Sequence, residues 1–71
     1  MPRLARVSGA ETVRALERLG FSVARQRGSH IVMRRVASGC VVPNHREIKT
    51  GTHAGVLRQA GVSVEEFMSA L

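Results

Sequence analysis

Hydrophobic and polar positions follow two different periods along this chain. Ala10, Val13, Leu16 and Leu19 recur at helical spacing, with Glu11, Arg14, Glu17 and Arg18 between them, which predicts an amphipathic helix of about three turns. Ser8 and Glu11 have the spacing of a capping box, so the helix is expected to start near Gly9, and Gly20 stands where a left-handed residue would end it. From Phe21 the period shortens to two. Phe21, Val23 and Arg25 alternate with Ser22, Ala24 and Gln26, then Arg27-Gly28-Ser29 interrupts and Ile31-Val32-Met33 runs on, the pattern of two strands and a tight turn. A third strand is expected at Cys40-Val41-Val42, after a turn at Ala37-Ser38-Gly39 and before Pro43, which cannot donate to a ladder.

The stretch from Pro43 to Lys49 has no period and reads as a polar, exposed loop. Thr50-Gly51-Thr52 can open a second helix with Ala54, Val56, Leu57 and Ala60 as its apolar residues and Gly61 as its end. Ser63 and Glu66 repeat the capping-box spacing before Val64, Phe67, Met68 and Leu71. The predicted order is α-β-β-β-α-α: an α+β fold in which a three-stranded antiparallel meander carries helices on one face and leaves the other wet. At 71 residues the chain, 1–71, is a single domain.

Charge changes the picture most. Eleven Lys and Arg against five acidic residues leave +6, and Lys49 is the lone lysine among arginines, a balance that suits a phosphate-rich partner. Arg14 and Arg18 have Glu11 and Glu17 nearby for local pairing and read as solubilising groups. Arg25, Arg27, Arg34, Arg35, Arg46 and Lys49 cluster around two strands and one loop with only Glu47 to offset them, and read as a phosphate-attracting patch. Phe21 and Phe67 are the only aromatic residues, too few for a base-stacking platform. One Cys forbids an internal disulfide, and the start from Met1 to Arg6 lacks a secretory apolar core. No stretch is long enough to span a membrane, so a cytoplasmic protein is expected.

Three histidines are the side chains able to move a proton near neutral pH. Alternation puts His30, Val32 and Arg34 on one face of the second strand and Ile31, Met33 and Arg35 on the other. If Ile31 and Met33 fill the core, His30 faces water or a ligand beside Arg34. Taken alone, His30 reads first as a surface histidine at a strand start and only second as a general acid or base, and Gly28-Ser29 reads as turn chemistry before a close approach for phosphate. His45 lies in the polar loop. His53, in the first turn of the second helix, reads as neutral and partly packed. The residues offer no metal-ligand spacing, and Cys40 reads as a small hydrophobe.

Gly20-Phe21, Arg27-Gly28-Ser29-His30, Val41-Val42-Pro43-Asn44-His45 and the run from Gly51-Thr52 through Leu57-Arg58-Gln59-Ala60-Gly61 to Phe67 together resemble the HicA toxins of type II toxin–antitoxin systems. The likeness spans nearly the whole chain in order. It implies a fold similar to a double-stranded-RNA-binding domain, an mRNA-cleaving endoribonuclease that needs no metal or other cofactor, and a HicB-type antitoxin partner. It also implies that His30 is the catalytic residue, with Arg27, Gly28, Ser29, Arg34, Lys49 and His45 as substrate-binding candidates. The chain departs from the family pattern at Ile31, where many members carry a second His, at His53, where an apolar residue is usual, and at the turn Val36-Ala37-Ser38-Gly39, which lacks the common Asp-Gly. The first departure makes His45 the acid–base partner if its loop reaches the sheet face. A non-catalytic RNA-binding module of the same fold is the alternative, and a partner protein masking the basic face is compatible with either.

Overall fold

The Ser8–Glu11 pair closes as a reciprocal capping box in the computed structural model, which describes residues 4–71. The Ser8 hydroxyl accepts the Glu11 amide at 3.0 Å, and the Glu11 carboxylate accepts the Ser8 amide at 2.9 Å. Hydrogen bonding from the Ser8 amide, and after it from the Ser8 hydroxyl, lowers the Glu11 carboxyl pKa from its ordinary value. Helix α1 (Gly9–Arg18) begins there as expected. Gly20, at φ +96°, lets the Phe21 amide turn back onto the Leu16 carbonyl at 2.9 Å. The start from Met1 to Arg6, expected to lack a secretory core, includes Met1, Pro2 and Arg3, which lie outside the described residues.

The buried strip of α1 is rotated from the expected one. Gly9, Thr12, Ala15 and Leu16 face the core, Val13 and Leu19 are half-buried, and Ala10 is exposed. Thr12 can enter the core because its hydroxyl donates to the Ser8 carbonyl at 2.9 Å. Gly9 is there for space: a Cβ would meet the Pro43 carbonyl and lie 2.7 Å from the Asn44 Cα. Arg18, expected only to solubilise the helix, donates to the Ala70 carbonyl at 2.7 Å.

Strands β1 (Ser22–Arg27), β2 (His30–Arg35) and β3 (Ser38–Pro43) form the expected antiparallel meander in the order β1-β2-β3. Strand β3 starts two residues before the apolar run, because Arg35 pairs with Ser38 and the turn is only Val36-Ala37. Val36 therefore sits at φ +52° and is 99% exposed, an unusual backbone for a β-branched residue. Ile31 pairs with Val42 and Met33 with Cys40, and all four are buried on one face. Burial pushes the Cys40 thiol pKa up, which keeps it a small hydrophobe as expected. In β1 strict alternation fails: the register jumps between Val23 and Arg25, leaving Ala24 as a bulge.

Helices α2 (Thr50–Ala60) and α3 (Val64–Ala70) complete the cover of that face. The core side of α2 is His53, Val56, Leu57 and Ala60, and it closes at Gly61. Helix α3 opens on the second capping box and buries Phe67 and Ala70, whereas Leu71, expected on its apolar face, is exposed. The segment before α2 is not wholly exposed either. Ile48 is 1% exposed and its amide donates to the Val7 carbonyl at 2.8 Å, so one apolar residue anchors a polar loop. This is an α+β fold with one dry and one wet sheet face.

His53 is packed completely rather than partly. Its ring stands edge-on to Phe67 with centroids 4.7 Å apart, and its Nε2 lies 3.3 Å from the Thr12 hydroxyl oxygen. Thr12 has already given its proton to Ser8, so it accepts here and Nε2 is the protonated nitrogen. That leaves Nδ1 buried without a partner. Desolvation lowers the His53 pKa below its ordinary value.

Two outcomes are expected from this packing. Gly9→Ala should lower stability by about 1–3 kcal/mol, because crowding of the Pro43–Asn44 backbone outweighs the roughly 1 kcal/mol that Ala gains in a helix. Urea denaturation would read it, and an unchanged or raised midpoint would count against the close approach. For His53 the unfolded chain takes up a proton near pH 6.5 while the folded chain resists it. Stability is thus complete above that pH and falls below it, by up to about 1.4 kcal/mol per pH unit, until the folded pKa is reached. His53→Leu should match or exceed the parent at pH 7.5 and lose this fall between pH 6.5 and 5; an unchanged acid slope would assign it to another group.

Candidate active site

Burial of Ile31 and Met33 forces His30, Val32 and Arg34 onto the wet face of β2. Residues paired across strands share a face, and His30 is paired with Arg27 on one side and Pro43 on the other. Arg25 pairs with Val32 and Ser22 with Arg34. Both arginines of β1 therefore join His30, and the bulge at Ala24 is the reason. Val23 is on the dry side opposite Met33, so unbroken alternation would send Arg25 and Arg27 to that side as well. The sequence pattern had grouped Arg25 with Phe21 and Val23, and the structure corrects that grouping.

The turn before His30 is fixed by main-chain contacts. Gly28 takes φ +54°, the Gln26 side-chain amide donates to the Gly28 carbonyl at 3.1 Å, and the Ser29 carbonyl accepts the Asn44 amide at 2.6 Å. The last bond ties the β1–β2 turn to the exit of β3. The imidazole itself is exposed and makes no hydrogen bond among the described residues, so both nitrogens are available to a ligand.

His30 lines an open-sided groove of about 690 Å³, between the edge of β3 and helix α2. Val41 and Pro43 form the strand side, and Thr52, Gly55, Arg58 and Gln59 form the helix side. The Gln59 side-chain carbonyl bridges the two by accepting the Val41 amide at 3.5 Å. Arg58 was not among the residues singled out from sequence. The signal was present: it has no acidic residue three or four positions away, and the groove residues of α2 occupy the strip beside its buried one.

The other expected binding residues are placed unevenly. Arg34 shares the face of His30 but lies four residues along β2, about 13 Å away at strand spacing. His45 and Lys49 are exposed and do not line the groove. The His45 carbonyl instead accepts the Gly9 amide at 2.8 Å, which holds its loop toward α1. Lys49 is the N-cap of α2, where no side chain caps the helix. Arg35 leaves the expected basic patch altogether: its guanidinium sits 4.5 Å from the Phe21 ring centroid and donates to the Leu19 carbonyl at 2.8 Å. Glu47 is taken up by an exposed ion pair with Arg6 at 3.2 Å, so it does not offset the wet face. Glu11 and Glu17 form no ion pair with Arg14 or Arg18; the Arg6–Glu47 pair is the one found among the described residues.

The family model for the HicA toxin of bacterial toxin–antitoxin systems matches residues 9–62. The chain belongs to the HicA toxin family. The matched span of this HicA chain runs from the start of α1 to just beyond Gly61, so it contains His30, the three strands and the whole of α2, while α3 lies outside it. A toxin of this family has a cognate antitoxin as its partner. Comparison with curated proteins and with solved structures gave no match. Among the described residues of this HicA toxin, no three His, Cys or acidic side chains cluster to hold a metal ion, and no helix is long and apolar enough to cross a membrane.

Arg27 and Arg35 carry the same charge in opposite roles, which gives a matched pair of variants. Arg35→Ala should cost about 1 kcal/mol of stability through the lost cation–π contact and hydrogen bond, with retention on a heparin column lowered only slightly. Arg27→Ala should leave the stability measured by urea denaturation within about 0.5 kcal/mol of the parent and elute clearly earlier. Equal elution of the two variants would contradict this division.

Proposed function

We propose that this toxin is a metal-independent endoribonuclease that cleaves mRNA in the cytoplasm, with His30 as its catalytic residue and a HicB-type antitoxin as its inhibitor. The observation that carries the reading is the setting of His30 in a HicA-family chain: solvent-facing, beside Arg27 and at the mouth of a groove large enough for part of a nucleotide strand. In the proposed reaction the imidazole takes the proton of a ribose 2′-hydroxyl. The 2′-oxygen attacks the adjacent phosphorus, the bond to the 5′-oxygen breaks, and that oxygen leaves with a proton from water. The products are a 2′,3′-cyclic phosphate and a 5′-hydroxyl. Arg27 faces the non-bridging oxygens as charge builds on them, the Gly28-Ser29 turn lets the strand come close, and Arg34 and Lys49 attract more distant phosphates. In this scheme a water serves as the acid, and the imidazolium of His30 returns its proton to the hydroxide left behind.

The test uses purified toxin and an RNA oligomer in the presence of EDTA. Wild type should cut the RNA and spare DNA of the same sequence, and His30→Ala should lose about 10²–10⁴-fold in rate with an unchanged thermal midpoint. Equal cutting of DNA would remove the 2′-hydroxyl mechanism, and an undiminished His30→Ala rate would remove the histidine. RNA bound by wild type but never cut would favour the binding module.

A further inference from the structure

The groove beyond His30 has features that proton transfer at one phosphate does not use. Its charged or titratable lining groups are His30 and Arg58 alone, and no acidic side chain lines it. The Arg58 side chain is exposed and makes no ion pair or hydrogen bond among the described residues. Gly55, between Thr52 and Arg58 on the helix wall, is in the middle of α2, where Gly is about 1 kcal/mol worse than Ala. Crowding does not require it, since an added Cβ would meet nothing nearer than the Arg58 Nη2 at 3.9 Å, an ordinary contact. A mid-helix glycine that the fold does not need leaves the groove wall bare for close approach.

We propose that this groove is a subsite for the RNA strand flanking the scissile phosphate, in which Arg58 is a positioning residue that holds a neighbouring phosphate and Gly55 gives the strand room. The proposal deepens the ribonuclease reading and rests on it for the identity of the strand. Charge complementarity selects the occupant, because a cationic wall with no acid beside it fits a polyanion and Arg presents a planar fork to phosphate oxygens. The strand would cross the edge of β3 over Val41 and Pro43, and the scissile phosphate would lie at His30.

The probe is a fluorescent, fully 2′-O-methylated RNA octamer, which cannot be cut, titrated with the folded toxin and followed by anisotropy at several salt concentrations. Arg58→Ala should weaken binding at least fivefold and flatten the salt dependence by about one phosphate contact, whereas Arg14→Ala, an equal loss of charge on α1, should change it less than twofold. Gly55→Ala should raise the thermal midpoint and yet weaken binding, a combination that a merely structural glycine would not produce. Equal effects of Arg58→Ala and Arg14→Ala, or a Gly55→Ala variant that is more stable and binds as well as wild type, would overturn the subsite. So would intact RNA binding by Arg58→Ala with loss of capture by the antitoxin, which would make the groove a protein surface. If wild type binds the probe through Arg58 but fails to cut unmodified RNA, the subsite stands and the nuclease reading falls. No binding of the probe by wild type, with unmodified RNA still cut, would overturn the subsite and leave the nuclease reading standing.

Discussion

A three-stranded sheet in a chain of this size has enough helix to dry one of its faces, and everything else follows from which face that is. Ile31 and Met33 on β2, with Cys40 and Val42 on β3, take the dry side against the helices. Because side chains alternate along a strand, that choice leaves His30, Val32 and Arg34 in water with no further freedom. The candidate catalytic residue is thus exposed by the same packing that holds the domain together. A single-residue slip of β2 would bury it and expose the core.

Two devices then build chemistry around that residue. The bulge at Ala24 turns Arg25 and Arg27 toward His30, and it also interrupts the outer edge of β1, where a regular ladder would invite pairing with another chain. Helix α2 covers the opposite edge at β3 through the Gln59–Val41 contact and thereby makes a groove rather than an open sheet face. The wet face remains cationic because Glu47 is engaged with Arg6 and the other glutamates belong to helices. Arg35 is the instructive exception. It comes from the same arginine-rich strand, yet its contacts with Phe21 and Leu19 make it part of the packing.

Three residues stand against the local preference of their positions. Val36 occupies a left-handed turn, His53 puts an unpaired nitrogen in the core, and Gly55 weakens the middle of a helix. Natural sequences are mostly consistent across levels, so such conflicts mark places where another demand prevailed. For Gly55 that demand is the groove. For His53 the structure shows the Thr12 contact and the Phe67 edge, which partly offset the cost and make the core sensitive to acid. Nothing in the structure explains Val36.

The elements were legible in the sequence wherever their causes are local. Both capping boxes, the ends at Gly20 and Gly61, the three strands and the outward face of His30 follow from spacing within a few residues, and the family resemblance singled out His30 where spacing alone could not. What the sequence left undecided depends on partners far along the chain. The bulge at Ala24 shows itself only in the pairing with β2; Gly9 and Ile48 are explained by a loop and an N-terminal segment that meet in space; Arg35 and Arg18 find carbonyls of other elements. Arg58 is 28 positions from His30 in the chain and faces the same groove only because α2 packs along the edge of β3. Periodicity tells which side of an element is wet, and the packing of one element on another decides which wet sides meet.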